Sequence, residues 1–313
     1  DEDWYAGKDG LDLSGDNSVW TNLLVTCGNT NTDWTAYSAY TNVQKYLDMT
    51  NFCDYVLLWW YSGGGDWEEG DNCKNFYVGN RNSTNPTPIS YYCWDMEMSW
   101  APGSVSSDGA WAHPAFLLTT PSSTNGSYVA GIFRPLWKNP EFRALFADRI
   151  YRHCFGDGAL SDTNSQTRWM KLCNFIDDAM ICESARWGDA KAPYGTNSVP
   201  LITRNEHWYT ARDYVYRLMD RNSKRFLIKC RQNSIYSYPL YPITDAPEFN
   251  QNGGAITNGF QLTMSSDGGD IWYTTNGLDP RAVGGNTNTG ATAYSSAVTL
   301  NATTTIKART LSG

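Results

Sequence analysis

The chain has 313 residues, of which 41% are hydrophobic, 18% charged and 14% aromatic, including 14 Trp and 20 Tyr; at roughly 150 residues per domain it has room for two domains, and its aromatic weight excludes a disordered chain. Asp and Glu number 32 against 24 Lys and Arg, for a net charge of -8, and no basic run offers the stripe that a phosphate backbone requires, so no nucleic-acid partner is expected. The most apolar stretch, 55–61, is far shorter than the ~20 residues of a bilayer span, so no membrane span is expected, and any export signal is expected outside this sequence.

In chain order, the first ~35 residues are rich in Gly, Asp, Asn and Thr around one apolar cluster, 20–25, and do not read as the start of a domain. The spacing predicts a helix over 39–49 and a second, capped by Thr50, that places Phe52, Tyr55, Val56, Trp59 and Trp60 on one face and stops at Gly63-Gly64-Gly65. An acidic loop then leads to a hairpin of strands over 75–79 and 89–98. Asn139-Pro140-Glu141 is a helix start, with Asn as cap, Pro at the first position and Glu in the first turn; the helix buries Phe142, Leu145, Phe146 and Ile150. Further helices are predicted over 161–184 and 204–231. Three prolines in 239–247 mark a linker, and the remainder reads as a small β-sandwich with strands over 259–265, 270–275, 297–300 and 304–310 and a tight turn at Asn276-Gly277. The eight cysteines form an even set that could pair in an oxidising compartment, or serve equally as small buried hydrophobes; none is spaced as C-x-x-C. Low charge with abundant Asn, Thr, Ser, Tyr and Trp points to a secreted or cell-surface protein.

If residues 91–98 alternate as a strand, Asp95 and Glu97 share a face at roughly 6.5–7 Å, close enough to serve one divalent ion. An ion pair with Arg134, Arg149 or Arg152 is the structural alternative. Upstream, the helix stop delivers Asp66 into the loop 66–75, which also holds Asn72 and Asn75. An acid, an amide and a strand acid in that order suit phosphoryl transfer, in which one carboxylate accepts the hydroxyl proton while an amide and a second carboxylate hold Mg²⁺. A solvated acidic loop would look the same.

The ordered set Asn51-Phe52-Cys53-Asp54-Tyr55, Gly65-Asp66-Trp67, Asn75-Phe76-Tyr77-Val78 and Cys93-Trp94-Asp95-Met96-Glu97 resembles the spore-coat protein H (CotH) kinase family, and Cys182 to Asp189 with Arg221 to Cys230 resembles its downstream part. The likeness covers about 35–240. It implies an atypical, secreted or surface-associated protein kinase that transfers phosphate from ATP to serine with Mg²⁺ or Mn²⁺. By that resemblance Asp95 is the metal-binding carboxylate, Asp66 the catalytic acid, and Asn75, with Asn72, a metal or phosphate ligand; Glu97 stands where many members carry Asp. No Gly-rich loop followed by a strand Lys precedes the helices, so most of an N-terminal lobe is expected to be missing and the chain alone is expected not to transfer phosphate.

The segment Ile271 to Arg281 and the strand Thr304 to Arg309 resemble the immunoglobulin-like domain at the C-terminus of chitobiases and β-hexosaminidases. Trp272 and Tyr273 could stack on a sugar there, although core packing is the better reading. The expected architecture is therefore α+β: a mainly helical, kinase-like lobe with a small antiparallel sheet over 1–240, a Pro-rich linker over 241–250 and a β-sandwich over 251–313. The expected function is an extracellular CotH-type protein kinase acting on a surface or coat protein. The alternatives are a non-catalytic structural or adhesive component and an accessory module of a carbohydrate-active protein, with glycan or neighbouring subunits as partners.

Overall fold

The computed structural model describes residues 4–7, 11–14, 16–63, 68–69, 72–73, 76–81, 85–96, 99–100, 128–189, 201–220 and 222–312. The chain opens with a hairpin, β1 (Trp4–Gly7) and β2 (Leu11–Ser14), followed by helices α1 (Ser18–Gly28), α2 (Tyr37–Val43) and α3 (Met49–Ser62). The two-residue strands β3 (Glu68–Glu69) and β4 (Asn72–Cys73) pair with each other ahead of β5 (Phe76–Asn80) and β6 (Ser90–Cys93). Then come α4 (Ala130–Trp137), α5 (Pro140–Cys154), α6 (Asp162–Ile176), α7 (Ala179–Trp187), a π-helical turn Arg204–Trp208, α8 (Tyr209–Met219) and α9 (Asn222–Gln232). Strands β7 (Ser234–Ile235) and β8 (Tyr238–Pro239) lead to a strand-rich end made of β9 (Glu248–Phe249), β10 (Phe260–Leu262), β11 (Met264–Ser265), β12 (Asp270–Thr274), β13 (Thr292–Ala293), β14 (Val298–Leu300) and β15 (Lys307–Leu311). The fold is α+β, with every strand pair within a sheet antiparallel.

Aromatic rings make the core of the helical part. Phe133 stands within 5.2–5.5 Å of Trp60, Trp137, Phe142 and Phe146, and Phe52 reaches Tyr91 at 4.9 Å, so α3, α4, α5 and β6 share one cluster. Rings in edge-to-face contact add to the hydrophobic term through their quadrupoles. Helix α5 starts as its sequence dictates: the Asn139 side chain accepts from the Glu141 N–H at 3.0 Å. The same amide, fully buried, also donates to the carbonyls of Trp34 and Ala36 at 2.9 Å each, which pins the α1–α2 connection to the head of α5.

Several expectations need revision. The first residues contribute two strands and α1 buries Val19, Trp20 and Leu23, so this region is an integral part of the fold. The predicted helix over 39–49 ends at Val43, because Leu47 bridges to Ile89 and Asp48, rather than Thr50, caps α3 by accepting from Asn51 N–H at 3.0 Å. The helix over 161–184 breaks around Asp177, whose carboxylate accepts from Arg204 and from the Tyr209 hydroxyl; that over 204–231 breaks at Asp220, which is extended. Trp59 and Trp60 are 1% exposed and belong to the core. Among the described residues seven cysteines are free thiols, five of them buried, and burial pushes Cys27 and Cys154 up to about 12, which fits the small-hydrophobe reading. No helix among the described residues is long and apolar enough to cross a membrane.

The Pro-rich stretch is fixed rather than free. Leu240 and Tyr241 are buried, Arg231 holds the Pro242 carbonyl and the Asp245 carboxylate, and Thr310 donates to the Asp245 carbonyl. Beyond it, β12 pairs with both β13 and β15, while β10 pairs with β14 and β11 with β9. Asn276-Gly277 does not join a hairpin: Gly277, at φ 75, donates to the Thr305 carbonyl at 3.1 Å. A Cβ there would stand 3.1 Å from the Thr305 side chain, so both the positive φ and the close approach favour glycine.

Candidate functional site

Two chain segments converge at the C-terminal end of α3. Helix α3 stops because Gly63 adopts a left-handed conformation, φ 60, with its N–H returned to the Trp59 and Trp60 carbonyls. This is the αL termination that glycine permits. The second segment leaves β6 at Cys93, and the alternation expected over 91–98 ends there. Asp95 takes φ 58 and turns the chain out of the pleat, so Tyr92 and Trp94 are exposed while Met96 packs against the core. Asp is among the few side chains that adopt this conformation readily.

The turn is then fastened to α3. Ser99 N–H donates to the Met96 carbonyl at 2.9 Å, Trp100 N–H to the Ser62 carbonyl at 3.0 Å, and the Ser99 hydroxyl to that of Ser62 at 3.2 Å. Further back, the Asn51 amide donates to the Tyr91 carbonyl at 3.1 Å and accepts the Tyr91 N–H at 2.6 Å. A side chain thus replaces a strand neighbour along β6 and locks α3 to it. Sequence reasoning quoted Asn51 only as part of a motif; an amide beside an apolar helical face, followed by a strand, is the signal that was there.

Asp95 is exposed, and among the described residues no hydrogen bond or ion pair engages it. The arginine alternative fails for Arg149, whose guanidinium is committed to Asp54 by two 2.6 Å hydrogen bonds, with His153 at 3.1 Å from the same carboxylate. Asp66, Asn75 and Glu97 lie outside the described residues. Asn72 belongs to β4, opposite Glu69, with its side chain outside the description. Phe76 pairs with Cys93, and Asp95 follows Cys93 by two residues, so Asp95 lies just beyond that end of the β5–β6 pair. Among the described residues no group of three or more His, Cys, Asp or Glu side chains could hold a metal ion. The donor set proposed from sequence consists of carboxylates and carboxamides, hard oxygen ligands suited to Mg²⁺ or Mn²⁺, and its one described member is an exposed carboxylate free to coordinate.

Residues 260–313 match the family described as Fn3 associated, which places a second module over the strand-rich end. No curated protein matches the chain. Residues 5–223, which take in the sheet of strand order β2–β1–β5–β6 and helices α1 to α8, match the family described as CotH kinase protein, and the chain belongs to that family.

Proposed function

We propose that the protein is a secreted or cell-surface protein kinase of the CotH type, transferring the γ-phosphoryl group of ATP to serine of a surface or coat protein. The observation that carries this reading is the exposed, unengaged Asp95 on a left-handed turn tied to the end of α3, where the chain also leaves toward Asp66. A carboxylate in an unusual backbone conformation, held from two sides and without a protein partner among the described residues, fits a ligand-binding role better than a structural one.

In this reading Asp95, with Glu97 and Asn75, would hold the divalent ion, and Asn72 and Asn75 would orient the nucleotide phosphates. Asp66 would accept the proton of the serine hydroxyl as that oxygen bonds to the γ-phosphorus and the bond from that phosphorus to the bridging oxygen breaks, releasing ADP. Bound Mg²⁺ or Mn²⁺ with ATP supplies charge neutralisation on the phosphates. The chain's own contribution is positioning: Asn51 sets β6 against α3, and the Ser62–Trp100 hydrogen bond sets the Asp95 turn against the helix end.

The full-length protein, incubated with γ-labelled ATP, Mn²⁺ and a serine-rich acceptor, should form acid-stable phosphoserine. Asp95→Asn should reduce this about a hundredfold or more, since even partners of metal ligands are worth 10–100-fold. Asn also tolerates φ 58, so the fold should be kept. Equal phosphoserine from wild type and variant would remove Asp95 from the reaction.

A further inference from the structure

Outside this site, the C-terminal module and α5 enclose a half-open cleft of about 580 Å³, within the range of small-ligand sites, which favour junctions between modules. Its module wall is the face of β12 and β15. Trp272 pairs with Arg309 and Thr274 with Lys307, and cross-strand pairs project to the same side, so Trp272 stands over α5 beside Arg309 rather than in the sandwich core. The opposite wall carries Tyr151 from α5 and Tyr241 from the fixed Pro-rich segment, with Phe155 between them at 4.8 and 6.2 Å.

The charges of the cleft cancel. Arg309 bridges Asp148 and Asp279, Lys307 acts on the second of these carboxylates, and Asp245 and Arg281 are paired with Arg231 and Glu141. The three carboxylates and three cations of the lining balance, and all but the exposed Lys307 are in ion pairs, so neither a free cation nor a phosphate finds a cluster of opposite charge. Neutral hydrogen-bonding groups are what is left: the amides of Asn252 and Asn286 and the two phenols. Burial raises both phenol pKa values, so they stay protonated at neutral pH. Trp272 is half-buried and lines the cleft, whereas its Nε1–H is buried without a hydrogen-bond partner, so the indole meets a ligand through its ring.

We propose that this cleft binds a neutral oligosaccharide. The half-buried rings of Trp272 and Tyr151 take the apolar C–H faces of sugar rings, while the Tyr151 hydroxyl and the amides of Asn252 and Asn286 meet their hydroxyls, and no net charge is needed.

Saturation-transfer NMR and titration calorimetry on the full chain with cellotriose, chitotriose and maltotriose test this, with inorganic phosphate as control. At least one trisaccharide should bind and phosphate should not. Trp272→Ala, which removes the ring from the cleft wall, should weaken binding about tenfold or more. Asn286→Ala, on a loop of the same cleft, provides a second variant should Trp272→Ala fail to fold. Absence of transfer from all three sugars, or affinity unchanged in the folded variants, would overturn the proposal.

Discussion

At the scale of single residues, Asn51 and Asp95 divide the work at the site. The Asn51 amide hydrogen-bonds both backbone groups of Tyr91, so Asn51→Ala removes both hydrogen bonds beside the core. The expected loss is about 2–3 kcal/mol, read as a lower urea midpoint at unchanged slope. An unchanged midpoint would mean that water replaces the amide and that β6 is held by its strand partner alone. Asp95 should behave oppositely: Asp95→Asn keeps a side chain suited to φ 58 and removes no protein contact, so stability should be unaltered. Asp95→Ala should cost roughly 1 kcal/mol through backbone strain alone.

Among elements, α5 is the hub, and much of it is legible in the sequence. Asn139-Pro140-Glu141 announces its start and the apolar spacing its core face, because capping and periodicity are local. What the sequence does not disclose is the second use of the same residues. Asn139 also ties down Trp34 and Ala36, and Glu141 accepts two hydrogen bonds from Arg281 and one from the Gly284 N–H, 140 and 143 residues away in sequence. Long-range polar pairing leaves no periodic trace. The same holds at the site, where alternation suggested a strand through residue 98 and a left-handed Asp95 ended it at Cys93. The CotH motifs were legible as an ordered set, whereas their geometric meaning, Asn51 acting as a surrogate strand neighbour, needed the tertiary contact. Two substitutions separate the duties of Asn139. Asn139→Asp keeps the cap acceptor but turns a carboxylate on two carbonyls, and Asn139→Ala loses both functions; each should cost at least about 2 kcal/mol in thermal unfolding. Stability kept by Asn139→Asp would show that the cap alone matters.

Across the whole molecule, Arg–carboxylate clamps join the C-terminal module to the helical part. The Glu141 carboxyl is held below its usual range by hydrogen bonds from Arg281, against some burial, with help from Gly284. For Asp279, burial alone would raise the pKa, but hydrogen bonds from Arg309 and the Arg281 N–H outweigh it and the net shift is downward. Depressed folded-state values mean stability that is fully present above the unfolded values, about 3.9 for Asp and 4.3 for Glu, and lost as pH falls through the folded values. The melting temperature should therefore show no pH dependence from these groups between pH 7 and 5.5, where their contribution is fully present, and should drop below pH 4. Arg309→Met, which leaves Asp148 and Asp279 unpaired, should lower neutral-pH stability by about 2 kcal/mol, allowing for partial exposure, and flatten the acid drop; an unchanged acid profile would show that the clamp does not couple the modules. The central claim, that Asp95 on its fastened turn is the anchor for metal and nucleotide, is tested most directly by calorimetric titration of the full chain with ATP in the presence of Mn²⁺. Wild type should bind and Asp95→Asn, folded to the same melting temperature, should bind about a hundredfold more weakly or not at all; equal affinity in the two proteins would contradict the account.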